Sequence, residues 1–195
     1  MATILTTFLS ALGEKVAVAS AGCLCGACLS CMKTEHCGIL LPFLKTSLCK
    51  QLVSDSILFV DLDFEIDQSL DEDDKKLDSD SHLYVARLYN NAKKIVEELA
   101  QMNEMSKSLK TILFVSCDYK LLKFCSLNEG GIDYFICSDS LHEQLKVNGN
   151  WNEERYNRIK NQLIAHKQDK LHTYSSLNDL IDQVIAIYPE ARLKI

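Results

Sequence analysis

The segment Ala21–Cys28, with the sequence AGCLCGAC, has the spacing of a loop that binds phosphate. It follows a short apolar, β-branched run at Lys15–Ser20, which is typical of a strand. Phosphate-binding loops have the pattern G-x-x-x-x-G-K-[ST], in which backbone N–H groups face the phosphate, the lysine neutralises charge and the hydroxyl binds Mg²⁺. Ala21, Gly22 and Gly26 are therefore the residues that we expect to approach a phosphate.

The side chains that supply the chemistry of such a loop are replaced. Ala27 stands at the lysine position and Cys28 stands at the hydroxyl position. Without them the loop has no group that offsets the negative charge of a polyphosphate, and phosphoryl transfer depends mainly on positioning and charge neutralisation. The sequence therefore predicts a vestigial phosphate loop with no cofactor. Mg²⁺ bound together with a nucleotide is the alternative.

Polar residues also follow apolar strands farther along the chain. Asp61 and Asp63 lie at the end of Ser56–Ile66 (SILFVDLDFEI), and Ser116 ends the run Lys110–Ser116 (KTILFVS). Ligands of parallel sheets bind outside the carboxyl ends of the strands. We therefore expect these side chains to lie together at one edge of the sheet.

This second group resembles the active site of the haloacid-dehalogenase-type phosphatases. The resemblance implies that the first aspartate attacks phosphorus, that the second acts as acid and base, and that the serine binds the phosphate. It also implies Mg²⁺ at Asp61, a positive charge from Lys120 or Lys123, and Asp139 as a further metal ligand. A Mg²⁺-dependent phosphatase is the main enzymatic alternative.

Several cysteines lie near the start of the chain, where Cys25, Cys28 and Cys31 have the spacing C-x-x-C-x-x-C. That spacing is typical of the opening of bacterial iron–sulfur ligation, and cysteine with histidine also forms Zn²⁺ sites. Cysteine is, however, among the most buried residue types and packs as a small hydrophobe. Metal ligation and packing in the core both stay open as explanations.

The segments that position these residues alternate between strand and helix patterns. Beyond those above, a strand is predicted at Asp133–Cys137, and helices are predicted at His82–Leu109, Tyr119–Leu127, Asn152–Lys167 and Ser176–Tyr188. Apolar residues also recur at helical spacing from Leu29 to Val53, with Gly38 and Pro42 as predicted breaks. Strands separated by helices long enough to cross over favour right-handed βαβ units. The predicted fold class is therefore α/β, a three-layer fold with helices on both faces of a mostly parallel sheet.

Length, charge and cysteine content limit the classes of function. The 195 residues are expected to form a single domain, with the acidic stretch 67–81 as a flexible loop within it. The net charge of −6 argues against binding to nucleic acid or to an anionic membrane, because both need a basic face. The nine cysteines, without a signal-peptide pattern or an apolar span, favour a reducing, cytoplasmic location.

The order of the elements over residues 15–188 resembles that of the P-loop nucleoside monophosphate kinases, including the guanylate-kinase-like branch. The likeness depends on the loop Ala21–Cys28, the strands Ile57–Asp61 (ILFVD) and Ile112–Asp118 (ILFVSCD), and a later helix with Arg155 and Arg158. It implies a P-loop kinase-like fold in which Gly26 approaches a phosphate and Asp61 helps to hold Mg²⁺. One of the two arginines would contact the transferring phosphate.

The loss of the lysine and the hydroxyl from the predicted loop leads us to expect that the fold has outlived its catalytic activity. The chain is then a non-catalytic structural or interaction subunit that binds other protein subunits. A virus particle or another large assembly is the setting that we expect for it. An active nucleotide kinase and the phosphatase described above are the alternatives.

Overall fold

The computed structural model describes residues 35–77, 81–105, 109–125, 131–147, 153–154, 156–157, 160–161 and 171–194. All of these belong to one compact unit, Thr34–Ile195. Its elements in chain order are β1 (Glu35–Leu40), α1 (Lys45–Gln51), β2 (Leu52–Val53), β3 (Ile57–Asp61), α2 (Leu62–Ser69), a 3₁₀ turn (Asp74–Lys76), α3 (His82–Met105), β4 (Thr111–Ser116), α4 (Tyr119–Phe124), β5 (Ile132–Cys137), α5 (Asp139–Val147), β6 (Leu171–Tyr174), α6 (Leu177–Ile187) and β7 (Arg192–Leu193).

A five-stranded sheet in the order β3-β4-β1-β5-β6 forms the centre of the fold, and each of its strand pairs is parallel. Numbered by these strands alone, the order is 2-3-1-4-5, so β1 lies in the middle. β2 and β7 form a separate antiparallel pair. Parallel neighbours need crossover connections, which place the helices on the faces of the sheet. The predicted three-layer α/β architecture is confirmed.

The central strands are buried on both faces. Ile39 and Leu40 in β1 are fully buried, as is every residue from Ile112 to Val115 in β4. A parallel sheet that is covered by helices requires continuous apolar runs of this kind. On one face, Ile39 belongs to the same core cluster as Leu180 and Val184 of α6. This packing fixes β1, and with it the turn at its carboxyl end.

Most later elements lie where the sequence predicts them, namely α3, β4, α4, β5 and α6. The helical pattern predicted from Leu29 to Val53 is wrong over part of its length, because Glu35–Leu40 is the central strand and α1 begins only at Lys45. Burial explains the difference, since the tertiary requirement for an apolar central strand overrides a weak helical spacing. Pro42 lies in the turn after β1, whereas Gly38 lies within the strand.

The segment after β3 also differs from its prediction. The strand predicted over Ser56–Ile66 ends at Asp61, whose side chain caps the N-terminus of α2. The acidic stretch 67–81 is partly helical, because α2 continues to Ser69 and the 3₁₀ turn follows. α5 and β6 are not among the predicted elements.

The helix predicted at Asn152–Lys167 is only partly described, and its described residues, between 153 and 161, are helical. Arg155 and Arg158 lie outside the described residues. Within the part of the chain that the structure describes, no helix combines the length and the apolar character needed to cross a membrane.

Candidate functional site

The turn that connects β1 to α1 lies at the carboxyl end of the central strand. It consists of Leu41–Leu44, and Leu44 has φ 68° and ψ 11°. Among the described residues, Leu44 is the one non-glycine residue with a positive φ. This left-handed conformation costs an ordinary residue roughly 1–2 kcal/mol, whereas glycine adopts it freely. The residue directly before Lys45 therefore has a left-handed backbone conformation that glycine would adopt more readily than leucine.

Lys45 and Thr46 begin α1 and match the last two positions of the phosphate-loop pattern. In this alignment the two glycine positions of the pattern are Ile39 and Leu44. This second partial match keeps the lysine and the hydroxyl but has neither glycine. The phosphate-loop pattern is therefore missed when it is recognised by its glycines. The backbone conformation of Leu44 is the signal that reveals it. The first match, Ala21–Cys28, lies outside the described residues.

The hydroxyl of Thr46 contacts the carboxylate of Asp61, at the end of β3. Thr46 Oγ1 donates a hydrogen bond of 2.5 Å to Asp61 Oδ2, and the N–H of Phe64 donates one of 3.1 Å to Asp61 Oδ1. Asp61 is 6% exposed. Its two carboxylate oxygens are therefore held in place by α1 on one side and by α2 on the other.

Asp63, in the first turn of α2, is the centre of a second set of contacts. Lys45 Nζ lies 2.6 Å from Asp63 Oδ2, and the side chains of Lys45 and Asp63 are 11% and 21% exposed. Ser116 Oγ donates a 2.5 Å hydrogen bond to Asp63 Oδ1, and the N–H of Cys117 donates one of 2.9 Å to Oδ2. Asp61, Asp63 and Ser116 thus lie together at the carboxyl edge of the sheet, and Lys45 forms an ion pair with Asp63.

The charges of the site are unevenly balanced. Burial alone raises the pKa of Asp63, but the Lys45 charge and the hydrogen bonds from Lys45, from Ser116 and from the next backbone N–H outweigh it, so this pKa lies below its ordinary value. The pKa of Glu65 is raised by burial and by the charge of Asp61 nearby. Among the described side chains, the carboxylates of Asp61, Asp63 and Glu65 therefore lie near one ammonium group, that of Lys45.

The sequence predicts three further residues for this site. Lys120 and Lys123 are exposed on α4, and Lys123 Nζ lies 5.9 Å from the centroid of the Tyr119 ring. Asp139 begins α5, directly after β5, and β4 and β1 separate β5 from β3. At the usual spacing between strands this separation is about 14 Å. Asp139 is therefore too far from Asp61 to share a metal ion with it.

The sequence also offers Asp61 and a group of cysteines as candidate metal ligands. Within the described ranges, no group of three or more His, Cys, Asp or Glu residues is placed to hold a metal ion. Cys25, Cys28 and Cys31 lie outside those ranges. The iron–sulfur and Zn²⁺ hypotheses for these cysteines stay predictions.

No protein-family model matches the chain, and no curated protein or solved structure matches it either. Its function is therefore inferred from the geometry of its own residues. The features that bear most directly on function are the position of Lys45 and Thr46 after the central strand and the contact of Thr46 with Asp61.

Proposed function

We propose that this chain binds the phosphates of a nucleotide, together with Mg²⁺, at the turn between β1 and α1 of a P-loop kinase-like fold. The contact of Thr46 with Asp61, directly beside Lys45, is the observation that supports this proposal. In P-loop proteins the lysine contacts the β- and γ-phosphates, while the hydroxyl of the next residue and an aspartate at the end of another strand hold Mg²⁺. Lys45, Thr46 and Asp61 are the corresponding side chains here.

The position of the turn within the sheet supports the same proposal. The chain passes from β1 to β3 and β4 on one side, and from β5 to β6 on the other. The direction of winding therefore reverses between the neighbouring strands β1 and β5. Ligands of open α/β sheets bind at such a reversal, outside the carboxyl ends of the strands. Leu41–Leu44 follows the carboxyl end of β1 at this point.

The side chains around Thr46 fit Mg²⁺. This ion prefers oxygen ligands and is usually held by one or two carboxylates together with the phosphates of a substrate. The Thr46 hydroxyl and the Asp61 carboxylate are oxygen donors in direct contact, and Glu65 adds negative charge nearby. Thr46 would therefore hold the ion, with Asp61 acting through one of the waters that Mg²⁺ usually keeps, and the ion would neutralise charge on the phosphate oxygens.

The turn itself offers fewer contacts to phosphate than the family pattern does. Pro42 has no N–H, and the N–H of Leu41 donates to the Ser116 carbonyl oxygen at 2.9 Å. Leu44 places a side chain where the pattern has glycine. Binding therefore depends more on Lys45 and Mg²⁺ than on the backbone, and we expect affinity to be low when Mg²⁺ is removed.

A non-catalytic structural or interaction subunit is the second candidate function. Two observations favour it: Leu41 and Pro42 of the turn are buried, and the charge of Lys45 is already offset by Asp63. In this case the polar network at the edge of the sheet serves stability alone. Its partners would be other protein subunits, as in a virus particle or another large assembly.

The geometry favours both candidates over the phosphatase suggested by Asp61, Asp63 and Ser116. A phosphatase of that type needs an aspartate with an oxygen that can reach phosphorus. Asp61 is 6% exposed, and both of its carboxylate oxygens accept hydrogen bonds within the protein. Asp63 is bound to Lys45, Ser116 and the backbone of Cys117.

Nucleotide binding is tested by calorimetric titration and thermal unfolding with ATP, in the presence and absence of Mg²⁺. A ligand that binds only the native state raises the melting temperature, and the stabilisation grows with the logarithm of one plus the ratio of ligand concentration to Kd. We expect ATP with Mg²⁺ to raise it for the wild type and to have little effect on Lys45→Met, which keeps the apolar stem without the charge. Lys50→Met is the matched control, because Lys50 is exposed on the same helix.

The outcomes distinguish the candidate functions. Stabilisation of the wild type and of Lys50→Met, with loss of the effect in Lys45→Met, supports the phosphate site. No stabilisation of the wild type at millimolar ATP and Mg²⁺ contradicts nucleotide binding and favours the structural subunit. Equal stabilisation of all three proteins would show that nucleotide binds away from Lys45.

A further inference from the structure

Lys45, the cation of the proposed phosphate site, already forms an ion pair with Asp63. The two charged groups are 2.6 Å apart, and both side chains are largely shielded from solvent. Screening by water and salt is weaker at such a site than at an open surface. A phosphate that approaches Lys45 therefore meets an anion that is already in contact with the ammonium group.

Asp63 is held more firmly than its partner. The hydroxyl of Ser116 and the N–H of Cys117 bind its carboxylate from β4 and from the residue that follows it. Its backbone belongs to α2, which begins at the capping residue Asp61. Lys45 has a long side chain with several rotatable bonds. When a ligand binds, we expect Lys45 to move and Asp63 to stay in place.

We infer that Asp63 is a specificity-determining residue, an internal anion with which every ligand must compete for Lys45. A small phosphate such as orthophosphate gains only the contact that the carboxylate already provides. A diphosphate or triphosphate with Mg²⁺ adds contacts at Thr46 and Asp61 through the ion and offers more phosphate oxygens to Lys45, so it competes successfully. The site thereby selects Mg²⁺-bound nucleoside di- and triphosphates over orthophosphate and monophosphates. This inference rests on the proposed function, because competition requires a phosphate site.

The test removes the negative charge of Asp63 and measures binding directly. Asp63→Asn keeps the size and an acceptor oxygen, and Asp67→Asn is the matched control, since Asp67 is exposed on the same helix and the net charge changes equally. Calorimetric titrations use inorganic phosphate, pyrophosphate with Mg²⁺, and ATP with Mg²⁺. We expect Asp63→Asn to bind inorganic phosphate and pyrophosphate at least about tenfold more tightly than the wild type. Asp67→Asn should match the wild type.

The outcomes separate this inference from the proposal on which it rests. If the wild type binds ATP with Mg²⁺ but Asp63→Asn gains no affinity for the smaller anions, the inference is overturned and the nucleotide site stands. If neither protein binds any phosphate, both fail. If Asp63→Asn alone binds, Asp63 excludes every phosphate from Lys45, and the inferred selection of Mg²⁺-bound nucleotides is overturned together with the nucleotide function of the wild type.

A measurement on the wild type covers the case in which Asp63→Asn does not fold. The affinity of the wild type should rise steeply from inorganic phosphate to pyrophosphate and to ATP with Mg²⁺. Inorganic phosphate binding as tightly as pyrophosphate would overturn the inference, because an internal competitor should suppress the smaller anion most.

Discussion

Replacing Thr46 by valine is expected to weaken the fold, because it removes the hydroxyl from Asp61 at nearly constant side-chain volume. Asp61 is 6% exposed, and its Oδ2 accepts the 2.5 Å hydrogen bond from Thr46. A hydrogen bond to a charged group contributes about 1.5–3 kcal/mol, and valine leaves this carboxylate oxygen without the donor. We therefore expect the free energy of unfolding to fall by about 2 kcal/mol, a large share of the stability of a typical domain.

Urea unfolding followed by far-ultraviolet circular dichroism, without Mg²⁺, measures this change. Thr46→Ser keeps the hydroxyl and should retain most of the stability, which separates the hydrogen bond from the loss of a methyl group. In a double-mutant cycle, Thr46→Val and Asp61→Asn should show a coupling energy of about 1 kcal/mol or more. A free energy of unfolding for Thr46→Val within about 0.5 kcal/mol of the wild type would show that this hydrogen bond does not stabilise the fold.

Further predictions concern charge, packing and the strained turn. Because the folded-state pKa of Asp63 is lowered, its contribution to stability is present above the unfolded pKa of about 3.9 and is lost as the pH falls through the folded pKa. Asp63→Asn should therefore show a shallower loss of stability in urea unfolding below about pH 4. Leu180→Ala, at a position that is 0% exposed, should lose about 2–5 kcal/mol. Leu193→Ala, at a position that is 51% exposed, should lose less than about 0.5 kcal/mol; similar losses in the two variants would contradict the assignment of the core. Leu44→Gly removes a side chain and suits the positive φ, so calorimetry should find tighter binding of ATP with Mg²⁺, and unchanged or weaker binding would show that Leu44 does not obstruct the site.

The fold class could be predicted because several strands are long, continuous apolar runs between helical patterns. The segments ILFVD, ending at Asp61, and TILFVS, ending at Ser116, are of this kind. The central strand could not be predicted in the same way. Glu35–Leu40 begins with polar residues and contains Gly38, so nothing local distinguishes it. Pairing with β4 on one side and β5 on the other determines its conformation, and those partners are distant in sequence.

Part of the candidate site could be predicted from the continuous apolar strands. The rest could not, because it follows the central strand, which has no local signal in the sequence. Asp61, Asp63 and Ser116 lie at or just after the ends of β3 and β4, which are continuous apolar runs in the sequence. Because parallel strands end at the same edge of a sheet, these residues are expected to lie close together. Lys45 and Thr46 come after β1, which could not be predicted from the sequence. The phosphate-loop pattern that would identify them lacks both of its glycines here. Their role depends on tertiary contacts, since Lys45 pairs with Asp63 on α2 and Thr46 donates a hydrogen bond to Asp61 at the end of β3.

A structure determined with a non-hydrolysable ATP analogue and Mg²⁺ shows whether nucleotide binds at Lys45. We expect phosphate oxygens at hydrogen-bonding distance, about 3 Å, from Lys45 Nζ, with Mg²⁺ beside Thr46 and Asp61. A nucleotide bound elsewhere on the protein, or a Lys45–Asp63 contact that persists with no phosphate near the turn at saturating ligand, would contradict this expectation.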